Sequence, residues 1–394
     1  MINITYKSLA INGGKPITKE PVLIHKPYLD ESDFKAVDQA IRSTFVSGNG
    51  PACREFEKKL AEYLGVKYVF YTNSCTSALD LAFMVKTFPP GSEVLVPNFT
   101  YTSTGLGPLL NQLNIKLVDV DPENGNIDVS KIEQAITEKT VAIVPVDYAG
   151  NPADMDPILK IARKYKLYVV HDTAQSIGTE YKGKKTGTLA HVSTFSFHGT
   201  KNITTGEGGA LVTDDDEIAK KVIFMREKGT DKQSFLVDNK DRGYYEYVSI
   251  GNSYVQSNIL GAMGQSQLRK IDWMITKRLE IAKFYTDNLK KIPNIKLPKT
   301  TLGAKTNWHI YYILVPPEDK YWIMDALRAE GIMVNVHYTP LHRNKFYQAL
   351  AKDEEMPGSM QFFGGLLRLP IYPSLTHDER TKVVEAIMKV MQAS

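Results

Sequence analysis

Along the first two thirds of the chain the apolar positions follow two alternating spacings. Short, nearly continuous apolar runs rich in β-branched and aromatic residues recur: "KYVFYT", "SEVLVP", "IKLVDVD", "TVAIVPV", "LYVVHD" and "VSTFSF". Between several of them lie stretches with helical spacing, "SALDLAFMVKTF", "DVSKIEQAIT" and "DMDPILKIARKY". Strands that are apolar on both sides, separated by amphipathic helices, predict a mostly parallel sheet covered on both faces. In such sheets ligands collect beyond the carboxyl ends of the strands.

The pattern changes after about Gln267. A long charged helix, "LRKIDWMITKRLEIAKFYTDNLKKI", leads into a turn-rich region where "IYYILVP" and "IMVNVHY" flank the helix "DKYWIMDALRAEG". The predicted organisation is an N-terminal arm (1–25), a large α/β ligand-binding domain (26–267) and a smaller C-terminal α+β domain (268–394). A chain of 394 residues is long enough for two such domains. The net charge of +4 is small and evenly spread, which argues against a nucleic-acid partner. Two cysteines, Cys53 and Cys75, support neither a disulfide framework nor a zinc-ligand set. No apolar run is long enough for a membrane span and the start shows no signal-peptide pattern, so a cytoplasmic location is expected.

Three polar clusters at strand ends carry the candidate chemistry. In "YTNSCTSALDLA" a strand ends at Thr72, and a polar turn enters a helix whose first amides are unpaired. Such a helix start attracts a phosphate, although Ser74 or Thr76 could serve only as its N-cap. In "LYVVHDTAQSIG" the strand carries Asp172 to the ligand-side edge, with Gln175 three residues on. A buried carboxylate there needs a cation or several donors beside it, or else it is structural and caps the next turn. In "SFHGTKNITTGEGGALVTDD" a strand ends just before His198, Gly199, Thr200 and Lys201, and glycines turn the chain back into a strand. The glycines open a strand rather than a helix, so this is no dinucleotide fingerprint. The lysine precedes them, so it is no Walker loop. Taken together, a phosphate-binding turn, a strand-end carboxylate and a strand-end lysine suit pyridoxal 5′-phosphate. The lysine forms a Schiff base with the cofactor aldehyde and the carboxylate keeps the pyridine nitrogen protonated.

From about Lys26 onward the chain resembles the DegT/DnrJ/EryC1/StrS sugar aminotransferases, within the fold-type I (aspartate aminotransferase-like) enzymes. The motifs that carry the resemblance are "NSCTSAL", "PNFTYTST", "VPVDYAG", "HDTAQSIG", "SFHGTKNITTGEGG" and "VHYTPLH". The resemblance implies that Lys201 carries the cofactor, Asp172 binds its ring nitrogen and Gln175 lies near its phenolic oxygen. It further implies that Tyr101 stacks on the ring, while Cys75, Thr76 and Ser196 hold the phosphate. Cys75 replaces the glycine usual in that turn and is read as an amide donor rather than a nucleophile. Where many relatives have Asn-Tyr-Arg this chain has Ser253, Tyr254 and Val255. Ser253 therefore stands where the family reaches the phosphate of the partner subunit in a homodimer, and the arginine that would anchor a donor carboxylate is missing. His337, in "VNVHYTPLH", either faces the substrate or is a hydrogen-bonded structural histidine.

The function implied is transfer of an amino group from glutamate to a nucleotide-linked keto-sugar. Local matches at "SCT", "REKGT" and "HYTPLH" are similar to the dTDP-4-amino-4,6-dideoxygalactose transaminases and point to C4 of a dTDP-4-keto-6-deoxyhexose. Lys26, Arg226, Lys228 and Arg343, in loops beside the motifs, are candidates to meet the diphosphate. The alternatives are amination at C3, a cyclitol acceptor suggested by "LAINGGKP", and a non-catalytic sugar-nucleotide-binding regulator. Related dehydratases carry histidine at the lysine position, so Lys201 argues against them. A desulfurase would need a mobile nucleophilic cysteine, for which neither Cys53 nor Cys75 is placed.

Overall fold

The computed structural model describes residues 8–231, 245–350 and 355–393. The apolar runs form seven strands: β1 (Tyr68–Thr72), β2 (Glu93–Pro97), β3 (Asn114–Val118), β4 (Thr140–Ile143), β5 (Tyr168–Asp172), β6 (Val192–Ser196) and β7 (Gly209–Thr213). They lie in one sheet in the order β1-β7-β6-β5-β4-β2-β3. The β3-β2-β4-β5-β6 half is parallel, and β7 runs antiparallel to both β6 and β1.

Successive residues of each strand point to opposite faces, and both faces are buried. Phe70, Val170 and Leu211 pack against Ala78, Leu79 and Ala82 of the helix Cys75–Met84. Their neighbours Val69 and Val212 pack on the other face against Phe56, Leu60 and Leu64 of the helix Pro51–Leu64. Further along that face, Val169 meets Ile158 and Ala162 of the helix Met155–Tyr165. Hence these strands are apolar on both faces instead of alternating.

After the helix Asn258–Leu268, the helix Ile271–Leu289 leads into the smaller unit. Its two-stranded sheet pairs β8 (Tyr311–Leu314) with β9 (Leu366–Leu369), antiparallel. The partner of β8 is thus "LLRL". The run "IMVNVHY" stays extended and pairs through single bridges, from Ile332 to Val22 and from Asn335 to Arg368. The N-terminal segment is built into the same core rather than standing apart as an arm. Leu9 and Val22 are buried with Ile323, Leu327, Val383 and Ile387. The Glu330 carboxylate accepts from the Ala10 and Ile17 amides at 2.9 and 3.0 Å. The two units meet across Phe99, Tyr148, Tyr312 and Phe362, rings that interlock edge to face.

Candidate active site

A cavity of about 390 Å³ opens where the strands end. Its wall brings together Ser74, Cys75 and Thr76 after β1, Tyr101 after β2, Asp172 closing β5, Gln175, Ser196 closing β6, Lys201, and His337 with Tyr338 from the smaller unit.

The turn after β1 is shaped for an anion. Ser74 is the N-cap, its Oγ accepting from the Ser77 amide at 3.0 Å. Cys75 and Thr76, the next two residues, lie at the cavity wall, with amides that a helix start leaves without an intrahelical partner. The cap role therefore falls to Ser74 and not to Thr76. Gly209 is why the turn can sit there. In β7 it lies between Thr72 and Ser196, and a Cβ on it would stand 2.3 Å from both the Cys75 nitrogen and the Ser74 carbonyl carbon. Gly209→Ala must push the turn away from the sheet. Equilibrium dialysis should show cofactor affinity falling by at least ~10-fold, the size expected for one lost charge-assisted hydrogen bond.

Asp172 is buried. Its carboxylate accepts from the Thr104 hydroxyl at 2.7 Å and the Ala174 amide at 3.1 Å. Burial raises its pKa, and these two donors only partly oppose the rise. The lone pairs that remain suit a cationic ring N–H. Burial likewise pulls the Lys201 amine down to about 8, within reach of the neutral, nucleophilic form at physiological pH. Cys75 is buried and its thiol is pushed far up, which fits an amide donor and not a nucleophile. Gln175 is held at both ends, its Oε1 accepting from the Ala149 amide at 2.7 Å and its Nε2 donating to the Tyr338 hydroxyl at 3.1 Å. The Ser196 Oγ accepts from the His198 amide at 3.4 Å. Tyr101 leaves 56% of its surface exposed and its ring centroid is 5.5 Å from that of Tyr338, so one face is open for stacking. A neutralisable amine, a buried carboxylate with spare acceptor capacity and a helix-start turn converge on one cavity, and they fit pyridoxal phosphate.

The sequence pattern of the DegT/DnrJ/EryC1/StrS aminotransferase family matches residues 27–388. The chain belongs to that family. It is 34% identical over 376 residues to the GDP-perosamine synthase of Caulobacter vibrioides, covering 94% of this chain and 98% of the relative. Among solved structures, PseC of Helicobacter pylori, an aminotransferase of pseudaminic acid biosynthesis, superposes with a TM-score of 0.89 at 31% identity, covering 95% of this chain and all of that one. The sugar aminotransferase Spr1654 of Streptococcus pneumoniae, solved in its pyridoxal phosphate form, gives a TM-score of 0.88 at 27% identity, covering 94% of this chain and 99% of that one. The protein is a pyridoxal-phosphate-dependent aminotransferase, and Lys201, Asp172 and the Ser74–Thr76 turn, which share the cavity, could hold its cofactor.

Other candidates lie elsewhere. Arg226 does not reach the cavity: it is buried, paired with Glu57 and stacked 5.1 Å from the Phe70 ring. The long side chain of a residue just past the helix Asp216–Met225 folds inward and ties β1 to the helix Pro51–Leu64, a structural task. Lys26, Lys228 and Arg343 are exposed and absent from the cavity wall. Ser253 is exposed too, its carbonyl accepting from Asn73 Nδ2 at 3.3 Å on the outer side of the β1 end. The sequence reading missed Thr104, which carries no signal apart from its contact with Asp172, and Arg368. A charge inside the apolar run "LLRLP" was the available sign of the latter. Among the described residues no helix is long and apolar enough to cross a membrane, and no cluster of three or more His, Cys, Asp or Glu could hold a metal.

Proposed function

We propose that the protein transfers an amino group from glutamate to a nucleotide-linked keto-sugar, at C4 of a dTDP-4-keto-6-deoxyhexose. The observation that carries this reading is Lys201 facing the same cavity as the buried Asp172, in a chain whose relatives are named for amino-sugar synthesis. Pyridoxal phosphate supplies the electron sink that makes loss of an amino acid α-proton feasible. The chain's own part is to hold and move protons. Lys201 Nζ would take the proton and return it, and Asp172 would place its carboxylate toward the ring nitrogen. The acceptor is identified by incubation with glutamate and dTDP-4-keto-6-deoxyglucose, beside its UDP- and GDP-linked counterparts, and NMR of the product. An amine at C4 of the dTDP-linked sugar is expected. An amine at C3, or turnover of an unactivated cyclitol ketone alone, would overturn the assignment.

The same reading makes the working unit a homodimer with shared sites. Ser253 stands outside its own cavity but beside the turn at Asn73, where a second copy can approach. Mixing Lys201→Ala subunits with subunits disrupted around Ser253 should restore part of the activity, since one kind of hybrid site is intact. Proven subunit exchange with no recovery would exclude shared sites.

A further inference from the structure

One buried cation near the cavity has no anion to balance it among the described residues. Arg368 lies in β9 with 5% of its surface exposed. Among the described residues no carboxylate pairs with it, and its Nε has no hydrogen-bond partner. Its side chain does not itself line the cavity. It reaches His337, which does, with the guanidinium Nη1 3.3 Å from His337 Nδ1.

The backbone sets this meeting. The Arg368 amide donates to the Asn335 carbonyl at 2.8 Å, so Arg368 stands opposite Asn335. His337, two residues further along the same extended stretch, is its diagonal neighbour on one face. The Tyr148 hydroxyl donates to the His337 carbonyl at 2.6 Å and fastens the main chain beneath the ring.

A guanidinium only donates, so the His337 Nδ1 facing it must be an unprotonated acceptor. In a neutral imidazole the proton then sits on Nε2. We propose that Arg368 fixes the tautomer of His337, so that the ring presents Nε2–H to the cavity as a neutral donor toward an oxygen of the bound substrate. Arg368 is then a positioning residue. His337 orients the substrate and does not compete with Lys201 as a proton carrier. Burial first, then the cations Arg368 and Lys201 with His25 beyond them, hold the His337 ring near pKa 4, and buried His309 also faces this group. The ring therefore stays uncharged through the working pH range. Substrate as the recipient of the hydrogen bond rests on the function proposed above. The tautomer itself does not.

The test uses holoenzyme labelled with 13C,15N-histidine, without sugar, so a wrong acceptor assignment leaves its outcome intact. The chain has eight histidines, and His337→Gln identifies the resonance. The ring should be the Nε2–H tautomer, uncharged from about pH 8 to about pH 5.5. An Nδ1–H tautomer, or titration near the ordinary value of about 6.5, would overturn the proposal. Arg368→Lys should keep the tautomer, and Arg368→Met should give a mixture of the two. In kinetics, His337→Gln places an amide N–H where Nε2–H stood and His337→Asn does not, so Gln should exceed Asn by ~10-fold in kcat/KM for the acceptor. Arg368→Met should lower kcat/KM by ~10-fold in the wild-type background and by less than ~2-fold with Gln at 337. Equal losses in both backgrounds would show Arg368 to be structural. If Arg368→Met does not fold, the wild-type spectrum and Arg368→Lys still decide.

Discussion

Lys201→Ala should abolish turnover, with a loss of at least ~10³-fold, because the variant lacks the proton carrier at the cavity wall. Borohydride treatment of wild-type holoenzyme should fix the cofactor on the peptide containing Lys201, and the variant should take up no label there. Label on another lysine would sink the assignment. The lowered pKa adds a signature that a surface lysine cannot mimic. A lysine with its ordinary pKa stays protonated until about pH 10.4, whereas this amine becomes neutral above about pH 8. The rate at which apoprotein takes up cofactor should therefore rise with pH and level off above a midpoint near 8. Absorbance followed across a pH series measures it. Arginine keeps its charge at any accessible pH, so Lys201→Arg should be as inactive as the alanine variant.

Asp172→Asn should move activity and stability in opposite directions. The amide matches the carboxylate in shape and can still accept from the Ala174 amide, but it brings no charge to the ring nitrogen. Turnover should fall by at least ~10²-fold, the loss typical for one preorganised electrostatic group. Apoprotein stability should rise. Burial raises the folded-state pKa of Asp172, so folded chains bind its proton more tightly than unfolded ones do. The contribution of this group is then most favourable at acid pH and is lost as pH increases through the raised pKa. Above that range the buried group costs stability, and the amide, which does not titrate, removes that cost. Thermal melts of apoprotein with activity measured in parallel decide the matter. Near-normal turnover, or a less stable variant, would show the carboxylate to be structural.

The strands were legible because each is buried on both faces. "KYVFYT", "LYVVHD" and "VSTFSF" are dominated by apolar and β-branched residues on both faces, and the structure places β1, β5 and β6 within a residue or two of those runs. Asp172 and Lys201 could be read for a related reason. Asp172 closes an apolar run and Lys201 stands in the loop after another, and strand ends are where such sheets bind ligands. Period and punctuation are local properties, so the chain carries them without reference to its fold. The register of "IMVNVHY" is not local. That stretch pairs only through single bridges, and β8 instead takes "LLRL" from more than fifty residues further along. Long-range pairing of this kind decides which cation meets the site. Arg226, named from a motif, folds inward onto Glu57, while Arg368 reaches His337 because β9 runs beside Asn335. The arm shows the same limit. Leu9 and Val22 are ordinary apolar residues in sequence, and only the packed core makes them part of the smaller unit. The sequence by itself determined the strands, the order of elements and the chemistry at the strand ends, because burial and turn preferences act over a few residues. Tertiary structure alone decided which cations stay outside the cavity and which one meets His337, because contacts between distant segments depend on how whole elements pack.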